Sequence, residues 1–160
     1  MNYAGLGVVL AAAVGLATRP PAVTGLDHIP IAVRDLDGAA ADYRALGFSL
    51  KPGRPHENGI TNQHVKFPDG TELELITAPE ARDALTTTYR RHLAAGDGPA
   101  FLALFAPGVA TASLGLDVDP LRYIFMFGRN QSPTDRPEHF AHANTAESLI
   151  GAWLAAGRSG

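Results

Sequence analysis

Two hydrophobic periodicities follow one another between Gly25 and Thr77, and their punctuation leaves few ways to fold the chain. The run GLDHIPIAV, residues 25–33, is short, apolar and of strand type. Asp35 and Asp37 then stand where a helix N-cap belongs, and Leu36, Ala39, Ala40, Tyr43 and Leu46 recur at helical spacing until Gly47. This predicts a helix with one apolar face. FSLKPG, residues 48–53, reads as a short second strand closed by Pro-Gly. NQHVKF and TELELIT, residues 62–67 and 71–77, alternate with period two on either side of Pro68-Asp69-Gly70, which is a hairpin pattern. The order is βαβββ.

Alternation assigns faces. In the first strand Ile29, Ile31 and Val33 share one face while His28, Pro30 and Ala32 share the other, so His28 belongs to the face the helix leaves open. A three-residue loop suits a type I turn followed by a left-handed Gly, setting Phe67 opposite Thr71, Val65 opposite Leu73 and His64 opposite Glu74. A loop one residue shorter would set His64 opposite Leu75 and mix polar with apolar residues on both faces. The hydrophobic pattern therefore selects the longer loop.

Asp27-His28, then Asp35-Leu36-Asp37 with Tyr43 and Leu46-Gly47-Phe48, then Leu73-Glu74-Leu75-Ile76, resemble the first βαβββ module of the vicinal oxygen chelate superfamily, in its glyoxalase-like branch. The resemblance is dense over residues 27–76 and weaker beyond Ala78. It implies an α+β fold of βαβββ modules, here one well formed and one partial, making an open cup. In that superfamily the cup surrounds a divalent metal held by residues of the first and fourth strands of each module, positions that His28 and Glu74 occupy here. With the family's sheet order the fourth strand lies between the first and third, and His28, Glu74 and His64 share a concave face of strands roughly 4.8 Å apart. Two imidazoles and a carboxylate suit Zn, Ni, Mn or Fe, with positions left for substrate oxygens. Glu72 and His64 are then the nearest groups for proton transfer. The plainer alternative is a hydrogen-bonded His28 and an ordinary His64–Glu74 cross-strand pair.

Beyond this first module, residues 25–78, a linker helix is expected within residues 79–98, from the spacing of Ala81, Leu85, Tyr89 and Leu93 between Pro79 and Gly96. Residues 99–160 read as a partial second module with a closing helix. FLALFAPG, residues 101–108, is a strand, residues 109–114 a short helix, and RYIFMF, residues 122–127, a further strand. No His, Glu or Gln stands in FLALF at the position matching His28. His139 and His142 are the remaining ligand candidates, and His142, Asn144 and Ala146 resemble the segment that follows the second module in glyoxalase-like proteins. Asn144 with Glu147 also makes an N-cap pair for a last helix carrying Leu149, Ile150, Trp153 and Leu154. The loop His56–Gly59 reads as a solvated turn or a substrate contact at the rim.

With 160 residues, 46% hydrophobic and 18% charged, the chain has the composition of one globular domain. A net charge of −3 without a basic run points away from nucleic acid, and the absence of Cys excludes disulfides, thiol nucleophiles and thiolate metal sites. Residues 1–24 are signal-like or extraneous: Tyr3 to Ala17 is uncharged and apolar, but no Lys or Arg precedes it and no small-x-small cleavage pattern follows. A cytoplasmic protein is expected, or an exported one if residues 1–17 are a signal.

The reading with most support is a glyoxalase- or dioxygenase-type enzyme acting on a small oxygenated molecule through a divalent metal held by His28, Glu74, His64 and His142. The alternative is a drug-sequestering protein of the same fold, with Phe101, Phe105, Tyr123, Phe125 and Phe127 as candidate cleft aromatics. An open cup exposes apolar area and strand edges, so a homodimer is expected.

Overall fold

The structure, a computed structural model, describes residues 24–106 and 132–152, together with the backbone of residues 122–126. Strand β1 (Gly25–Ala32) leads into helix α1 (Leu36–Ala45), then β2 (Lys51–Pro52), β3 (Thr61–Lys66) and β4 (Glu72–Thr77). Asp35 caps α1, its side chain accepting from the Gly38 amide at 3.0 Å. The helix ends at Leu46, and Gly47 follows with φ +88°, where a side chain would also meet the backbone nitrogen of Asn144 at 3.0 Å. Helix and strand boundaries thus fall where the DLD and LGF strings place them, except that the second strand shrinks to two residues.

The hairpin register is the one selected by the hydrophobic pattern: Val65 pairs with Leu73 and His64 with Glu74, while Phe67 donates its amide to Thr71 at 2.9 Å. Strand β4 lies between β3 and β1, and it runs parallel to β1 with Ile29 beside Leu73 and Ile31 beside Leu75. Helix α1 covers the face of Val65 and Leu75, both fully buried, and its Arg44 donates to Gln63 on that same face at 2.9 Å. The opposite face carries the polar side chains.

Helix α2 (Ala84–Ala95) begins at Asp83, which forms a reciprocal capping box with Thr86. It buries one end of the polar face: Tyr89 and Leu93 pack with Ala32, Ile76 and Phe101, and the Tyr89 and Phe101 rings meet edge to face at 5.0 Å. Strands β5 (Gly98–Pro99) and β6 (Phe101–Phe105) both pair antiparallel with β1, and β7 (Arg122–Met126) runs parallel to β6. The β6–β7 pair therefore repeats the relation of β1 to β4. The helix expected at residues 109–114 and the segment 1–23 lie outside the described residues, and no described helix is long and apolar enough to cross a membrane.

The expected last helix is not formed over residues 144–152. From Ser132, through a short 3-10 turn (Pro137–His139), the chain instead runs as a strap against the hairpin end of the sheet. Asn144 donates to the Leu46 carbonyl at 3.0 Å, Ser148 to Asp69 at 2.6 Å, and the Leu149 amide to Thr71 at 2.9 Å. Asn144 donates through its side-chain nitrogen to the first module while its oxygen accepts from the Ala146 amide, as a cap would, but Thr145 takes a left-handed φ of 58° and the Leu149 amide is turned to the hairpin.

Candidate active site

A β-bulge prepares the first site residue. Leu26 pairs with Leu104 and His28 with Ala103, so Asp27 is the extra residue on β1. Its fully buried carboxylate lies 2.7 Å from His28 Nδ1, although simple alternation would send the two side chains to opposite faces. With the ring proton on Nδ1 toward Asp27, the Nε2 lone pair is left facing Glu74, whose Oε2 lies 3.8 Å away. Glu74 is itself oriented, its Oε1 accepting from Asn62 at 2.5 Å. Burial opposes a charge on His28 most strongly, but the Asp27 hydrogen bond and the charges of Glu74, Glu72 and Asp27 together outweigh it and raise its pKa above the usual 6.5.

One rung along the sheet lies a second arrangement. Glu72, in register with His28 on β1 and Lys66 on β3, is almost completely buried; it holds His64 Nδ1 at 3.0 Å and lies 3.6 Å from Lys66 Nζ. Lys66 and Lys51 both donate to Asp135 of the strap, at 2.8 and 2.5 Å. Burial works against the Asp135 charge, yet hydrogen bonds from Lys51, Lys66 and the Ser132 amide hold its carboxyl far below the ordinary range. This bridge pins the strap to the edge of the polar face.

These groups line a cavity of about 980 Å³ walled by His28, Lys51, Asn62, His64, Lys66, Glu72 and Glu74, by the β2–β3 loop with Arg54 and His56, and by the strap with Arg136 and His139. Its size is that of a small-molecule site, roughly 300–1,000 Å³. Among the described residues its wall contains no Phe, Tyr or Trp. Phe101 is instead packed under α2.

The residues singled out from sequence separate into three groups. His28 and Glu74 face each other. His64 belongs to Glu72, and no third His, Asp or Glu joins the first pair closely enough to hold a metal ion among the described residues. His142 is in neither group: Nδ1 accepts from the Ser49 amide at 3.0 Å, Nε2 donates to the Lys66 carbonyl at 2.9 Å, and its ring lies edge-on to Phe48 and Phe67. Both nitrogens are committed, so it serves as a peg for the strap and not as a ligand. Asp27, Asn62, Lys51, Lys66 and Asp135 were not singled out from sequence; only the Asp27-His28 adjacency hinted at one of them.

The mixed open sheet, with its two pairs of parallel strands and few helices, has the architecture of glyoxalase-like modules. The glyoxalase-like domain model matches residues 26–147, and the chain belongs to that family, within the vicinal oxygen chelate superfamily. It is similar to solved structures of methylmalonyl-CoA epimerase from Streptomyces coelicolor in complex with 2-nitronate-propionyl-CoA (28% identity, TM-score 0.44, 55% of this chain and 66% of that one). It is also similar to the Mycobacterium tuberculosis epimerase (28% identity, TM-score 0.45, 54% and 58%). The chain spans less than two thirds of the length of these structures. No curated protein matches it.

Proposed function

We propose that the chain binds a small oxygenated molecule in this cavity and transfers a proton on it, with His28 and Glu74 as the part of a divalent-metal site that the first module supplies. The observation that carries this reading is the His28–Glu74 pair. Two electron-rich atoms, each oriented by a second residue, face one another at 3.8 Å, and such second-residue support is usual for metal ligands. Donors about 2.1 Å from a shared ion at a tetrahedral angle lie roughly 3.4 Å apart, so the pair fits after a shift of a few tenths of an ångström. It is an incomplete set. Further donors come, on this reading, from a second copy in a homodimer, which light scattering would report as twice the chain mass.

When bound, the metal supplies positive charge that stabilises negative charge developing on two neighbouring substrate oxygens. The protein's own groups do the rest. His64, with Nδ1 held by Glu72, accepts the substrate proton at Nε2, and the buried Glu72 charge stabilises the imidazolium that results. Glu72 is thereby a positioning residue, held in turn by Lys66. The polar wall supports turnover of an oxygenated molecule over sequestration of an apolar one.

Metal content after dialysis, followed by calorimetric titration with Zn, Ni, Mn and Fe(II), tests the reading. Glu74→Gln keeps the shape and removes the ligand charge, and is expected to weaken binding at least about tenfold. Parent protein that binds none of these ions, or a variant that binds them equally well, would overturn it.

A further inference from the structure

The charges on the cavity wall are unevenly committed. Lys51, Arg54, Lys66 and Arg136 stand there against Glu72 and Glu74. Both lysines are engaged, through Asp135 and Glu72, and Glu74 is engaged by Asn62 and faces His28. The two arginines are different. Arg54 makes no hydrogen bond or ion pair among the described residues, and the Arg136 guanidinium has there only an exposed contact with Glu138 at 4.0 Å, its backbone bonding to His139. Arg54 lies in the loop after β2 and Arg136 just before the 3-10 turn, and both line the same cavity with exposed side chains, as residues of its rim. This occurs in a chain whose net charge is −3.

From this we infer that the substrate carries an oxyanion, a carboxylate or a phosphate, which Arg54 and Arg136 grip together at the rim while the reacting carbon lies over His28 and Glu74. The inference rests on the cavity being the substrate site. A planar guanidinium offers paired donors that match either oxyanion. Because Arg136 travels with the strap, a bound oxyanion also ties the strap to the β2–β3 loop. That is a second fastening on the side where Asp135 provides the first.

Pyruvate, inorganic phosphate and glycerol 3-phosphate serve as probes, with acetone and glycerol as neutral counterparts, each titrated at millimolar concentration into the parent, Arg54→Gln, Arg136→Gln and the double variant. At least one anionic probe is expected to bind, more weakly as salt rises, with about tenfold loss in each single variant and loss of detectable binding in the double. Comparing pyruvate with the two phosphates identifies which oxyanion fits. Metal binding by Arg54→Gln should equal that of the parent, which keeps this test separate from the metal-site reading. Failure of all three anions to bind, equal binding of neutral counterparts, or undiminished binding in the double variant would each overturn the inference.

Discussion

In the first module β1 and β4 run parallel and carry His28 and Glu74 on their open face; in the second half β6 and β7 also run parallel, yet Ala103 stands in register with His28 and FLALF offers no ligand. The same strand relation thus occurs once with a His and a Glu on its open face and once with no His, Asp or Glu in its first strand. Backbone pairing needs only alternation and β-formers, whereas a site needs particular residues at single positions. The later part of the chain still contributes to the cavity, by another route. Its strap brings Arg136 and His139 to the cavity wall on irregular backbone that Asp135 fastens to the first module.

That contrast can be broken most directly at the fastening. Asp135→Ala removes the carboxylate that Lys51 and Lys66 share, and is expected to cost about 3 kcal/mol in urea unfolding. His142→Ala removes the bonds to Ser49 and Lys66 and the packing against Phe48 and Phe67, with an expected cost of about 2 kcal/mol. If either variant is as stable as the parent, the strap is not an integral part of the fold.

A smaller effect sharpens the comparison through pH. The folded-state pKa of His28 is raised above 6.5, so in metal-free protein its stabilising contribution is complete below that pH and declines as pH rises through the folded value. Asp135, with its pKa lowered from 3.8, contributes above that value and loses its contribution as pH falls below it. Melting temperatures across pH should therefore fall on the alkaline side in the parent and show less of that fall in His28→Asn. Asp135→Ala should weaken the acid-side decline and leave the alkaline side alone. A His28→Asn profile identical to the parent's would show that the Asp27–His28–Glu74 arrangement adds nothing to stability.

The sequence by itself determined the local grammar of the first module: the Asp35 cap, the Gly47 stop, the three-residue hairpin loop and the facing of His64 with Glu74. Each is set by contacts within a few residues, where propensity, turn chemistry and alternation act together. Only the tertiary structure decided what those residues face. The bulge that brings Asp27 beside His28 exists through pairing with β6, some 77 residues later, and Asp135 meets Lys51 across 84 residues. His142 read as a possible ligand because its partners, the Ser49 amide and the Lys66 carbonyl, are backbone groups that carry no sequence signal. The last helix is missing over residues 144–152 for the same reason: its helical pattern and Asn144 cap were real local preferences, and the hairpin's Asp69 and Thr71 offered the strap hydrogen bonds that a helix would have had to make alone.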